Sequence, residues 1–357
     1  MKPKLFTRNF TLLILGQISS LIGNLTLKFA LSMYVLEQTG SASIFAGLLA
    51  LLSVLGAFES PTVQACIPQM LAGENLIKGN AVVNQVASVA SFITPFLGSV
   101  FYTAFGIGPA FYAAVACFWA TALLECFIRL DYKKTEDKKR IGTIIKEDFS
   151  VSMRFLRREQ PGIMKLLLLA AAVSLFVAGT AVVGFPYLVR TVLGLSATHY
   201  GIAESAMGIA SILGSLCVVI MAPNLRPHHL VIVLLSFGVC LLPCGIAFLL
   251  PLDTFARYLI LLIMFCACQL GCSFFSTYAI SIIQERTPER LMGKVMSYVF
   301  TLSMCAQPAG QIIYGALLDQ FSDNVCWVLI PSGLIVCMIS LASSGFFRKF
   351  ERQGMAR

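Results

Sequence analysis

Ten stretches of about 20 or more mostly apolar residues fill this 357-residue chain. A helix rises about 1.5 Å per residue, so each stretch is long enough to cross a hydrocarbon slab of roughly 30 Å. No water reaches backbone N–H and C=O groups inside the slab, and a helix is the form that bonds them internally. A water-soluble chain does not combine 58% hydrophobic with 12% charged residues. The expected fold class is an all-α polytopic membrane protein. Its spans are read at residues 11–36, 43–66, 81–105, 109–128, 166–189, 201–221, 230–250, 258–283, 295–318 and 325–346.

Charge orients those spans. With the N-terminus inside, all 26 Lys and Arg residues except Arg190, Arg257 and Lys28 fall on the inner side. Basic residues near span ends resist translocation, so both termini are expected in the cytoplasm and the chain in the cell membrane. The net charge of +9 is then a topology signal, not a nucleic-acid surface. Met1 to Arg8 is basic, and the apolar run behind it is long enough to remain as the first span and not be a cleaved leader.

Residues 129–165 form the only long polar connection. Lys133, Lys134, Lys138, Lys139 and Arg140 precede an apolar stripe of Ile141, Ile144, Ile145, Phe149 and Met153. That pattern fits an amphipathic helix on the anionic inner leaflet, and a merely solvated linker fits it as well. The expected organisation is an N-terminal bundle at 1–128 with four spans, the linker at 129–165, and a six-helix bundle with its tail at 166–357. The halves echo one another. Glu74-Asn75-Leu76 precedes a span with Pro95 and Gly98, and Glu289-Arg290-Leu291 precedes one with Pro308 and Gly310. Four spans separate Leu166 from Glu289, but only two separate Thr11 from Glu74. The first half is therefore short by one helical hairpin.

Particular residues carry a family likeness. In the first half these are the run Gly16 to Gly23 (GQISSLIG), Phe29-Ala30-Leu31, Thr39 to Ala42 (TGSA), Phe58, Pro61, Gln64, Pro68, Asn75-Leu76, Asn80-Ala81 and Asn84-Gln85. In the second half they are Gly184-Phe185-Pro186, Val192 to Ser196 (VLGLS), Tyr200-Gly201 and Arg290 to Val295 (RLMGKV). With these the chain resembles the major facilitator superfamily, particularly the drug-efflux branch that includes macrolide exporters and the enterobactin exporter. The resemblance implies two six-helix bundles rocking around a central cavity, so this chain is expected to have about 10 transmembrane helices, 4 + 6, instead of 12. The join left by the absent hairpin is placed near Phe45-Ala46-Gly47. The efflux branch often carries an acid where Asn24 stands, so the resemblance gives that position no proton-carrying role here.

Charged side chains at membrane depth need a cavity, a partner or a function. Asn24 and Lys28 lie one turn apart on the first span and share a face. Lys28 either lines a substrate cavity or serves as a counter-ion between helices. Glu59 lies deep in the second span before Ser60-Pro61, where a proline bend frees a carbonyl. It suits proton coupling, or a static ion pair with Lys28. Glu204, near the outer end of its span, is either a water-facing carboxylate or a second proton site. Gln64 adds a hydrogen-bonding group. Pro61, Pro95, Gly98, Pro308 and Gly310 mark expected bends and close helix contacts.

Twelve cysteines sit mostly inside spans and spell no disulfide framework. Cys266, Cys268 and Cys272 lack the paired CxxC spacing of a zinc site, so no metal is expected. No nucleotide-binding loop and no nucleophile pattern appears, which points away from an enzyme and from direct use of ATP. The expectation is a secondary transporter, without cofactor and driven by a proton gradient, that exports a small amphipathic or apolar compound. A transport-incompetent or binding-only shortened chain and a nutrient importer stay open. The bilayer and the small-molecule substrate are the expected partners. A monomer is expected, with an oligomer open if another chain compensates the missing helices.

Overall fold

The computed structural model describes residues 5–56, 63, 66–67, 69–71, 74–129, 161–221, 225–287 and 289–355. Its principal elements are ten long helices: α1 (Arg8–Thr39), α2 (Ala42–Gly56), α3 (Glu74–Phe105), α4 (Ile107–Cys126), α5 (Pro161–Val192), α6 (Ala197–Met221), α7 (His229–Leu249), α8 (Thr254–Arg286), α9 (Glu289–Gln320) and α10 (Cys326–Met355). Among the described residues, seven of them are long and apolar enough to cross a membrane. The exceptions are α2, α3 and α9. The last two open on charged turns at Glu74 and Glu289. The all-α, multi-pass expectation therefore holds.

Local chemistry sets the ends. The Thr7 hydroxyl accepts the Phe10 N–H at 3.3 Å and starts α1. Gly40 stops it with φ of 59°, a left-handed conformation, its N–H reaching Leu36 O at 3.0 Å. Asp253 caps α8 by accepting the Ala256 N–H at 3.2 Å. Helix α5 widens into π turns at Ala178–Gly184 and Leu188–Val192, flanking a short α segment at Phe185–Tyr187. Pro186 has no N–H to give the turn before it, which is where such widening is expected.

Backbone contacts divide the chain into two compact units. The first holds residues 1–40, 48–136 and 189–205, and the second holds 41–47, 137–188 and 206–357. In the first, α1 packs against α3 and α4. The α1–α4 approach is close: a β-carbon on Gly23 would sit 2.9 Å from Cys117 Cβ, and Ser19 Oγ donates to Cys117 O at 2.9 Å. Phe10, Leu13 and Ile14 bury against Val63, Ile67 and Leu71 at one end.

In the second unit α7 packs against α8 and α10, and α9 against α5. Gly238 and Gly333 bring α7 and α10 into backbone contact, since a β-carbon at either would meet the other's carbonyl at 2.5 or 2.8 Å. Gly310 lies on the Leu175 backbone of α5, and Gly179 lies under the Tyr314 ring. Apolar side chains such as Leu166, Leu230, Phe275, Ile283 and Phe347 fill the interior.

Candidate functional site

The first unit gathers charged and aromatic groups at the meeting of α1, α3 and α6. Asn24 and Lys28 of α1 are both partly buried. Glu204 of α6, also partly buried, takes a hydrogen bond from the Tyr200 phenol one turn earlier, and Lys28 lies within electrostatic reach of it. The Tyr200 ring stacks on Phe29, with centroids 5.4 Å apart and planes at 24°. Phe29 in turn covers Gly98 of α3, where a β-carbon would stand 3.3 Å from the ring. Beside it, Gly201 lies against Ser99 and within 3.2 Å of the Pro95 carbonyl, measured from its absent β-carbon. The lack of a side chain lets the start of α6 settle on the proline-containing stretch of α3.

This neighbourhood brings together Lys28, Pro95, Gly98 and Glu204, with Asn24 one turn before Lys28 on α1. Glu59, Pro61 and Gln64 lie outside the described residues, so the expected Lys28–Glu59 pair has no structural account. Pro308 and Gly310 belong to the second unit, on α9. A carboxyl placed like Glu204 has two states that differ by one proton. The ion is held by Lys28 and the Tyr200 phenol, and the neutral acid suits apolar surroundings.

Two further networks occupy helix ends. Arg190 donates to Glu37 Oε1 at 3.0 Å and to Leu195 O at 2.5 Å, while the Tyr102 hydroxyl donates to Glu37 Oε2 at 2.7 Å. The Glu37 side chain is 50% exposed and Arg190 only 12%. In the second unit, Asp319 receives Ser41 Oγ at 2.6 Å, the Ala42 N–H at 2.5 Å and the Ser43 N–H at 2.9 Å. Ser41 Oγ also accepts the Ile44 N–H at 3.3 Å and so caps α2. Gln311 on α9 is fully buried, with neither amide atom hydrogen-bonded among the described residues.

Sequence reasoning named Glu204 and Lys28 but not their meeting, and it missed Tyr200, Glu37, Tyr102 and Asp319 as site groups. Glu37 and Asp319 carried a faint signal, as acids at the ends of apolar runs.

The model of the Major Facilitator Superfamily matches residues 5–310. The chain belongs to the Major Facilitator Superfamily. It is a membrane transport protein and not an enzyme. Macrolide efflux protein A of Streptococcus pyogenes is 22% identical to it over 298 residues, 80% of this chain and 68% of that protein. Solved transporter structures resemble it along nearly the whole length. A bacterial metal transporter superposes with a TM-score of 0.63 at 15% identity, covering 96% of this chain and all of that one. A bacterial homologue of the iron transporter ferroportin, in an inward-facing state, gives 0.63 at 14% identity, covering 94% and 98%. A POT family transporter in complex with 5-aminolevulinic acid gives 0.64 at 12% identity, covering 96% of each chain. At such identities the likeness is one of fold alone.

Proposed function

We propose that this superfamily member is a proton-coupled exporter of a small amphipathic or apolar compound. It sits in the cell membrane with both termini cytoplasmic. The observation that carries the reading is the Glu204 carboxylate, held by Tyr200 and facing the charge of Lys28 inside the apolar part of the chain. Coupling asks for one group that binds a proton in one facing state and releases it in the other. Movement of α1 relative to α6 would change how strongly Lys28 opposes protonation of Glu204. The stacked Phe29–Tyr200 pair beside it is buried and ties α1 to α6, so a shift between the two helices would move Lys28 relative to Glu204. The likeness to a macrolide efflux protein supports export, and the one-sided basic charge supports the inner placement of both termini.

The test is uptake of a radiolabelled macrolide into inverted membrane vesicles energised by an inside-acid pH gradient. The expected result is uptake that an uncoupler abolishes, reduced at least tenfold by Glu204→Gln and by Lys28→Ala at unchanged protein level. Gradient-driven uptake that persists in both variants would remove these residues from the coupling role. Uptake indifferent to the gradient would remove the coupling itself.

The same proposal includes a first bundle reduced to four spans. Supporting it, Ser41 and the start of α2 as far as Gly47 cluster with the second unit, and the rest of α2 from Leu48 with the first. The change falls where the join was placed from the sequence, as expected of one helix made from the start of one ancestral span and the end of another.

A further inference from the structure

Helices α5 and α10 leave an open groove of about 380 Å³ between them, inside the second unit. Lys165, Leu168 and Ala172 form one wall at helical spacing, and Ala342, Ser343 and Phe346 form the other. The space exists because Ala172, Ala342 and Ser343 are small. Leu168 and Ala342 are exposed, and beside the groove α10 presents Met338 and Leu341, 61% and 59% exposed. Apolar surface of that kind on a membrane-crossing helix is covered by lipid.

One end of the groove is charged. Lys165 Nζ stands 5.7 Å from the centroid of the Phe346 ring, a cation–π contact that holds the ammonium at the mouth. No acidic side chain lines the groove among the described residues. At the same level both helices pass from apolar to basic sequence: Arg157 and Arg158 precede α5, and Arg348 and Lys349 follow Phe347 on α10. That is the depth of lipid headgroups.

Away from Lys165 the groove is apolar in what it offers. The Ser343 hydroxyl already donates to Ser340 O at 2.7 Å. Leu169, Ala172 and Ile339 line both the groove and an inner cavity of about 30 Å³ that reaches Phe176, room for the end of one hydrocarbon chain. The hydroxyls there are engaged too, Thr180 with Phe176 O at 2.8 Å and Ser340 with Val231 O at 2.7 Å. Lys165 and Phe176 lie eleven residues apart on α5, about 16 Å along its axis. One leaflet contributes about 15 Å of hydrocarbon, so the two spaces together span the depth of a single acyl chain.

We propose that this groove binds one anionic phospholipid of the phosphatidylglycerol kind, its phosphate on Lys165 and one acyl chain laid between α5 and α10. Charge selects the headgroup. A phosphodiester with a single negative charge matches one ammonium, whereas a zwitterionic lipid brings a cation of its own to the same place. Shape selects a lipid over a free anion, since inorganic phosphate would leave the apolar length of the groove empty. The bound chain fills the gap left by the three small side chains and steadies α5 against α10. The site is separate from the Glu204 cluster and does not depend on the transport reading.

The experiment uses the full chain in detergent, stripped of lipid and then given phosphatidylglycerol or phosphatidylcholine with the same acyl chains. Native mass spectrometry counts the lipid that stays bound. One phosphatidylglycerol per chain is expected to survive activation that removes phosphatidylcholine. Retention should fall about fivefold in Lys165→Gln, the loss of one basic contact to a headgroup, and at least as far in Ala342→Phe, which fills the groove. Arg257→Gln, at the start of α8, should keep it. Glycerol 3-phosphate, an anion without a tail, should fail to compete. A second measurement needs no variant. Phosphatidylglycerol with a diazirine near the end of one chain, photolysed on the parent, should crosslink within residues 169–177 or 336–343. Equal retention of phosphatidylcholine, retention unchanged in either groove variant, displacement by glycerol 3-phosphate, a dimer in place of the lipid-bound monomer, or crosslinks that map elsewhere would each overturn the proposal.

Discussion

Gln311 shows most plainly what a single residue reveals. Its amide is fully buried and has no partner among the described residues, which costs about 1–3 kcal/mol relative to a satisfied one. Gln311→Leu should therefore raise thermal stability in detergent, by about 1 kcal/mol after the change of shape is allowed for. A stabilised variant that loses transport would show that the amide is kept for substrate. Asp319 behaves in the opposite way. Burial pushes its pKa up, but the hydrogen bonds from Ser41, Ser43 and the Ala42 and Ser43 backbone outweigh that and hold it below the usual carboxylate value. Its folded pKa lies below the unfolded one, so the stabilisation is present above the ordinary carboxylate range and fades as pH falls through the folded value. Asp319→Ala should lower stability at neutral pH by about 1 kcal/mol, and melting curves of variant and parent should converge in acid. Arg190→Ala should do less, about 0.5 kcal/mol, because half of the Glu37 side chain faces solvent.

At the scale of elements, the close helix contacts are the points of least tolerance. Gly238 and Gly333 let α7 and α10 touch backbone to backbone. Gly238→Val would drive its branched side chain into the Gly333 carbonyl and Cys337, costing about 1–3 kcal/mol or more. The readout is loss of monodisperse protein on gel filtration, or a lower melting temperature. Existence and order of the helices were legible from apolar run length, since only a helix satisfies its backbone in lipid. Boundaries were less so. Helix α3 begins at Glu74 and α5 at Pro161, both earlier than their apolar stretches, because charged or polar first turns extend a helix without adding to hydropathy. The π turns of α5 had only Gly179, Gly184 and Pro186 as a hint.

For the whole molecule, orientation is the most accessible prediction. Single-cysteine labelling with a membrane-impermeant maleimide should reach position 133, substituted Lys133→Cys, from the cytoplasmic face only. It should reach position 257, substituted Arg257→Cys, from the opposite face. Labelling of position 133 from outside intact cells would reverse the topology. The superfamily fold tolerates this test because both positions lie outside the apolar stretches.

The amino-acid sequence by itself determined the class of molecule, its helices and its family. Those follow from local quantities, namely how many apolar residues run together, where the basic ones interrupt them and which short motifs recur. The tertiary structure alone decided partnership. Lys28 faces Glu204 across 176 residues of chain, and Glu37 meets Tyr102 and Arg190. Side chains so far apart in sequence meet only once helices pack at fixed rotations, and those rotations are set by many glycine and aromatic contacts acting together. A charge at membrane depth announces that a partner exists; packing names it.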